Sequence, residues 1–422
     1  MMPQKHCIVL PDPYGPDDDS RQQQQQRSQL LGINAELHRC LAQCKNLISV
    51  CGPVHGMGGA PSSAGTGLQQ WSIAKRRTNL YELIHTGSRT MPGLSSHSPI
   101  SRSFFKLWEI LTDMGSTHLA LDCDQPITAA FMAEGPGGFV ESFAMWRAAA
   151  VGQDVASRDQ LHCISLVSSK RSVPCWKLGV LNRAPCSVHV HAGADGTGDL
   201  YQIANIHSFV RACGGSGSCK LVTADGGFDF SNDFNAQEDN SLRLVISQVY
   251  AALLLQMPAG TLVLKLFDAA SAETMWVLQS LSASYSAVRL VKPLSSRPAN
   301  SERYVVCSGF RSVDPAVLSV LQLAVSTGST SPISAQALAS PPSIRFLSAV
   351  IDYNAVHIAH QTACIARTVV LASRSRGSDA GAVAQLLRLQ LAHSMRWCHK
   401  YGIHVAQGVL AHYRTYFKTQ PE

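Results

Sequence analysis

Three short stretches hold residue types that can do chemistry. Residues 133–143 read AEGPGGFVESF, with a proline and glycines between an apolar run, TAAFM, and a run that can be helical, FAMWRAAAV. Gly137 and Gly138 let the backbone approach a ligand, and the helix that follows offers free N–H groups and a positive dipole end to a carboxylate or phosphate. The pattern is not GxGxxG, and a plain strand-to-helix turn explains it equally well. Asp225 closes the apolar run KLVTAD before Gly-Gly, and Lys265 sits inside TLVLKLFD. A lysine in such a run is costly to bury unless paired or neutral, or unless it snorkels to the rim. Asp225 can equally be a turn-former, but the two together favour function. In a doubly wound sheet both strand ends open onto one crevice.

Seven apolar runs can build that sheet: TAAFMA, HCISLV, SVHVHA, KLVTAD, TLVLKLF, AVRLVK and RYVVCSGF. Helix-compatible segments separate most of them, for example SLRLVISQVYAALLLQM. The last two runs lack a long intervening helix, which predicts an antiparallel hairpin at one edge. Before the sheet, SRSFFKLWEILTDMG and RSQLLGINAELHRCLAQCKNLISV read as helices. Residues 1–30 are low in complexity and read as disordered, and CGPVHGMGGAPSSAGTG reads as a flexible loop without the ending of a P-loop. The expected organisation is 1–30 disordered, 31–95 a helical and basic extension, 96–312 the α/β domain and 313–422 a helical region. In that last region Val383, Leu387, Leu391, Met395 and Cys398 form a stripe at helical spacing that reads as core.

With 422 residues, 45% of them hydrophobic, the chain can bury a large core. The formal net charge of +7 and pI of about 8.8 fit a polyanion partner such as RNA, although charge alone decides little. The 13 cysteines form no regular framework and read as reduced thiols. Cys40, Cys44, Cys51 and His55 match no standard zinc spacing, and no metal is expected. Neither a signal peptide nor a membrane-spanning stretch is evident.

Four segments occur in order: the turn AEGPGGF, LVTADGGFDFSNDFNAQE, the strand LVLKLFD and KPLSSRPANSERYVVCSGF. Together they resemble the FtsJ-like (RrmJ-like) RNA ribose 2′-O-methyltransferases over roughly residues 96–312, and SRPANSERYVV is closest to the mRNA cap-specific branch. The resemblance implies a Rossmann-like α/β fold with a seven-stranded, mostly parallel sheet. It also implies S-adenosylmethionine as cofactor and a Lys-Asp-Lys-Glu tetrad at Lys106, Asp225, Lys265 and Glu302. Lys265 is expected to be the base, if burial and Lys106 lower its pKa against the pull of Asp225 and Glu302. The cofactor residues implied are Ser101, Ala133, Glu134, Gly135, Pro136, Gly137, Gly138, Phe139 and Asp199, with Asn235 and Asn300 on the RNA. Asp199 reads equally as an N-cap, and Glu134 replaces a small or Cys-type residue common in cellular cap enzymes.

The implied reaction converts cap0 to cap1 on the first transcribed nucleotide of capped mRNA. The partners implied are capped RNA and other capping or transcription components, with no membrane and no DNA. The implied compartment is nucleus or cytoplasm, or a virion or host cytoplasm for a viral protein, and the chain is not secreted. Trp71, Tyr81, Trp108 and Trp176 are candidates to stack on a cap, and Lys75–Arg77 to track phosphates. A ribosomal or transfer RNA substrate, or a non-catalytic RNA-binding scaffold, are the competing readings.

Overall fold

The computed structural model describes residues 7–13, 21–50, 65–85, 91–121, 123–170, 173–228, 233–373 and 380–418. Two compact units emerge, and neither is continuous in sequence. One comprises 1–36, 103–293 and 302–356; the other comprises 37–102, 294–301 and 357–422.

The first unit is built on an eight-stranded sheet. Its strands are β1 (Cys7–Leu10), β2 (Thr128–Met132), β3 (Gln160–Ile164), β4 (Ser187–His191), β5 (Cys219–Ala224), β6 (Gln256–Phe267), β7 (Tyr285–Val291) and β8 (Glu302–Phe310), in the order β1-β7-β8-β6-β5-β2-β3-β4. Pairing from β6 through β5, β2 and β3 to β4 is parallel, while β8 runs antiparallel to both β6 and β7. All seven expected runs are strands, and Cys7–Leu10 adds an eighth, antiparallel to β7 at the sheet edge. The β7–β8 hairpin is therefore covered by β1, not left at the edge, and β8 inserts between β6 and β7. Composition follows position. The central β2, β5 and β8 are nearly continuously buried, whereas the edge strand β4, SVHVH, exposes most of its residues.

The expectation of disorder over 1–30 does not hold for its described residues. CIVL is β-branched enough to pair, and the glutamine run opens the helix Arg21–Asn46 because glutamine is a good helix former. Residues 313–356 also depart from the expected division, since they belong with the sheet. There the helix Pro315–Thr327 starts on Asp314, whose side chain caps Ala316 N, and Ser334 hydrogen-bonds Glu273 at 2.5 Å. Most of the expected CGPVHGMGGAPSSAGTG loop, with Cys51 and His55, lies outside the described residues.

The second unit is helical and is organised around one buried carboxylate. Glu82, 4% exposed, accepts from Arg297 Nη2 at 2.6 Å and Nε at 3.0 Å. It also accepts from Arg102 Nη1 at 3.2 Å and from Asn79 at 2.8 Å. These bonds fasten the loop 294–301 to the segment around Glu82. The helix Ala380–Lys400 buries Ala384, Leu387, Gln390, Ser394, Trp397 and Cys398, while Met395 is 36% exposed. The expected stripe is thus rotated. Gln390 and Ser394 face inward because they satisfy backbone carbonyls of Arg76, Asn79 and Leu80. Among the described residues no helix is long and apolar enough to cross a membrane.

Burial alone would raise the Glu82 pKa, but the Arg297 hydrogen bonds, the two guanidinium charges and Asn79 override it and hold it at about 2. Its folded pKa lies below the unfolded value, so its stabilisation is complete above about pH 4.5 and is lost as pH falls towards 2. Glu82→Gln is expected to lower stability at pH 7 by up to about 3 kcal/mol and to flatten acid unfolding between those pH values. Urea melts at a series of pH values check this, and an unchanged acid limb contradicts it.

Candidate active site

The strand order reverses between β2 and β5, so the crevice at their carboxyl ends is the natural ligand site of the sheet. The turn after β2 forms one wall. Ala133 sits at a φ of 55° and donates its N–H to Ile164 at 2.8 Å. Gly137, at a φ of 116°, starts the helix Gly138–Val151 with no side-chain cap, so no side chain occupies the first helical amides. A Cβ on Gly135 would lie 2.7 Å from the Pro174 carbonyl oxygen, so the chain closes over this turn too tightly for any side chain. Pro136 accepts from Lys177 N at 3.1 Å. Phe139 is buried against Tyr304, ring centroids 5.9 Å apart.

Glu134 is the buried ionisable member of this wall. It is 3% exposed, and its Oε1 accepts from Thr223 at 2.7 Å. Its buried Oε2 has no partner among the described residues. Burial first, and then the Asp225 charge, push its pKa well above the usual carboxylate range, against the pull of Thr223 and Lys265. A buried acceptor without a partner, beside helix-start amides without a side-chain cap, is the set of groups that the two ends of an amino acid would need: Glu134 for an ammonium, the helix start for a carboxylate. Asp199 lies in a loop packed on the end of β3, where Gly198 leaves no room for a Cβ beside Ser165 O. One of its carboxylate oxygens takes Tyr201 N at 2.9 Å, the local turn-capping role expected as an alternative.

The tetrad expected from the sequence assembles as two ion pairs. Parallel register sets Ala224 beside Leu264, so Asp225 and Lys265 follow side by side. Lys265 Nζ lies 3.2 Å from Asp225 Oδ1 and donates to the Asp225 carbonyl at 2.5 Å. Antiparallel register sets Phe267 opposite Glu302, and Lys106, from the helix Ser103–Leu119, meets both Glu302 carboxylate oxygens at 2.7 Å. A Cβ on Gly227 would come within 3.0 Å of Lys265 Nζ, so the Gly-Gly after Asp225 keeps one side of that ammonium clear.

The electrostatics correct one expectation. Burial does push the Lys265 pKa down, but Asp225, Glu302 and Glu134 together outweigh it, and the net shift is upward. Glu302 is driven the other way: burial favours its neutral form, and Lys106, Lys265 and Lys292 hold it well below the usual range.

Two residues escaped sequence reasoning. Tyr304 is fully buried and donates to Asp225 Oδ1 at 2.8 Å, fixing the carboxylate that holds Lys265. Its signal was the i, i+2 spacing from Glu302, which puts both on one face of β8. Lys292 follows β7, is 7% exposed and donates to the Glu302 carbonyl oxygen. Burial, with Lys106 and Arg303, brings its pKa down to about 7 against Glu302 and Asp268.

Asn235 is exposed on the turn before the helix Gln237–Leu255, where its N–H bonds Asp233 at 2.7 Å. Ser101 and Asn300 belong to the second unit, as do Trp71, which is buried, and Tyr81. Trp108 stacks on Phe104 at 5.6 Å in the first unit, where Trp176 is half-buried.

A family model described as FtsJ-like methyltransferase matches residues 99–310. Over 123 residues the chain is 45% identical to a cap-specific mRNA (nucleoside-2′-O-)-methyltransferase 1 of Trypanosoma brucei brucei, covering 28% of this chain and 32% of that protein. It is 32% identical over 248 residues to the Mus musculus protein of that name, covering 56% and 28%. To a cap-specific mRNA (nucleoside-2′-O-)-methyltransferase of Autographa californica nuclear polyhedrosis virus it is 37% identical over 115 residues, covering 27% and 43%. The chain spans less than half the length of each of these three relatives.

Proposed function

The chain belongs to the FtsJ-like methyltransferase family, and from that premise we propose that it transfers a methyl group from S-adenosylmethionine to a ribose 2′-hydroxyl of capped mRNA, at the first transcribed nucleotide. The observation that carries the reading is the pair of lysine–carboxylate contacts, Lys265–Asp225 and Lys106–Glu302, set at strand ends beside the glycine turn. That arrangement also favours an enzyme over a scaffold that merely keeps the fold. The relatives' names supply the cap as substrate class, and an mRNA substrate implies the nucleus or cytoplasm as compartment.

S-adenosylmethionine, when bound, supplies an electrophilic methyl on a sulfonium cation. Glu134 would hold its ammonium and the amides of Gly138 and Phe139 its carboxylate, with Ala133, Gly135, Pro136 and Gly137 shaping the turn and Asp199 available for hydroxyl or amino groups. A carboxylate whose pKa is raised by burial and by a neighbouring carboxylate is relieved when a cation arrives, which favours a positively charged ligand over a neutral one.

Lys265 removes the hydroxyl proton. At rest its proton is held by Asp225, Glu302 and Glu134. Positive charge brought to the turn offsets those carboxylates, so the base is released only when the site is filled. Glu302 pins Lys106, whose cation orients the ribose oxygen and keeps Lys265 from claiming both carboxylates. Tyr304 and Lys292 hold Asp225 and the Glu302 backbone in place.

The deciding experiment is transfer of a tritiated methyl from S-adenosylmethionine to capped and uncapped transcripts, with the modified nucleotide mapped. Label on the first transcribed nucleotide of the capped RNA alone is expected. Equal labelling of both RNAs would move the substrate to ribosomal or transfer RNA.

A further inference from the structure

The two units differ in charge as sharply as in architecture. The second carries sixteen Lys and Arg against three Asp and Glu, and the rest of the chain nineteen against twenty-five. Their formal charges are therefore +13 and −6, which combine to the +7 of the whole chain. The excess is most one-sided over 380–418, which holds five Lys and Arg, no Asp or Glu, and five aromatic residues. A merely solvated helical surface mixes signs, because opposite charges at i, i+4 stabilise it and like charges repel.

The cations are also arranged on rings. In the helix Ala380–Lys400, Arg388, Arg396 and Lys400 are all exposed. Arg388 lies 5.1 Å over the half-buried ring of Phe417, while Lys400 lies 4.6 Å over Tyr401, which is buried along with Trp397 and Tyr413. Phe417 belongs to the helix Val409–Lys418, which also exposes Arg414, and its ring keeps part of its surface at the rim. Exposed cations with no acid among them, beside the half-buried rings of Tyr416 and Phe417, suit a single-stranded nucleic acid, whose phosphates meet the cations and whose unstacked bases can reach those two rings. An acidic protein would use the cations but has no comparable use for the rings, and a duplex keeps its bases out of their reach.

We infer that residues 380–418 form a docking surface for single-stranded RNA, independent of its sequence, that holds the transcript beyond the nucleotide to be methylated. The inference rests on the reading of RNA as substrate. The surface lies outside the residues matched by the family model.

The test uses the full chain and its Arg396→Glu, Lys400→Glu, Arg414→Glu triple variant. The probe is an uncapped single-stranded oligoribonucleotide about 20 nucleotides long, followed by fluorescence anisotropy from about 50 to 200 mM salt. Three lost phosphate contacts should lower the slope of log K against log salt by about 2. The KM for a long capped transcript should rise, while that for a capped dinucleotide stays unchanged. A charge-conserving variant (Arg396→Lys, Lys400→Arg, Arg414→Lys) should bind as the wild type does, which separates lost charge from lost fold. Wild-type slope and affinity in the triple variant overturn the inference. So does equal loss of the long and short substrates, or displacement of the probe by poly-glutamate as readily as by RNA. The uncapped probe needs no methyl transfer, so this surface and the catalytic reading can fail separately.

Discussion

Lys265→Met is expected to lower kcat for methyl transfer by about a thousandfold, within the range a positioned general base contributes, while S-adenosylmethionine affinity stays near wild type. The side chain is buried at the end of β6, and its ammonium is spent on Asp225. Losing it removes the lysine placed between that carboxylate and the clear side left by Gly227. Lys265→Arg separates two roles that Met cannot: a guanidinium keeps the charge but never gives up its proton, so it should be as inactive as Met if Lys265 is the base. The pH profile gives a second handle. Because Asp225, Glu302 and Glu134 raise the free enzyme's Lys265 pKa above its ordinary value, the deprotonated fraction grows with pH across the whole neutral range. Log kcat/KM should then climb with a slope near one without levelling off before the ordinary lysine range, since that profile reports the free enzyme. Full activity in Lys265→Arg, or a plateau already at pH 7, would rule out the base.

Much of this site can be read in the sequence, for a physical reason. Asp225 and Lys265 stand out because charge is expensive within apolar strands, and parallel register puts strand ends on the same side of a sheet. Glu302 and Lys106 have no such contrast with their surroundings, and only the family resemblance singled them out. Tyr304 was concealed because an aromatic in YVVCSGF looks like ordinary core. Lys292 was concealed because its role depends on β8 turning back between β6 and β7, a topology that chain adjacency presents as a simple edge hairpin. The direction of the Lys265 shift was also out of reach: burial and a neighbouring cation oppose three carboxylates, and the outcome turns on distances such as the 3.2 Å to Asp225. The two units were illegible for a related reason. The loop 294–301 lies between two strands of the sheet, yet it folds with the helical unit through Arg297 and Glu82.

Asp268→Asn should be the most destabilising single change near the site that leaves the tetrad itself intact. Arg303 follows Glu302 in β8, and its side chain is fully buried. Its guanidinium meets Asp268 Oδ1 at 3.1 Å and Asn354 Oδ1 at 2.7 Å, and lies 5.5 Å over the Tyr353 ring. Its Nε has no partner among the described residues, so charge compensation falls on Asp268. Asparagine suits the test because Asp268 adopts a φ of 65°, a conformation asparagine also tolerates. The variant keeps the shape and an acceptor and loses only the charge. Breaking a buried pair in this way typically costs about 3–5 kcal/mol, since the remaining ion stays buried without its counter-charge. For a unit of this size that corresponds to a fall in Tm of about 10 °C or more. The double variant Asp268→Asn, Arg303→Met removes the stranded cation and should recover most of the loss, giving a large coupling energy in the cycle. Below its melting temperature Asp268→Asn should keep kcat within about tenfold of wild type, because Lys106 and Lys292 still hold Glu302 from the other side. A Tm within a degree of wild type would show that Arg303 is compensated elsewhere. A kcat as low as that of Lys265→Met would make the pair part of the chemistry and not only of its support.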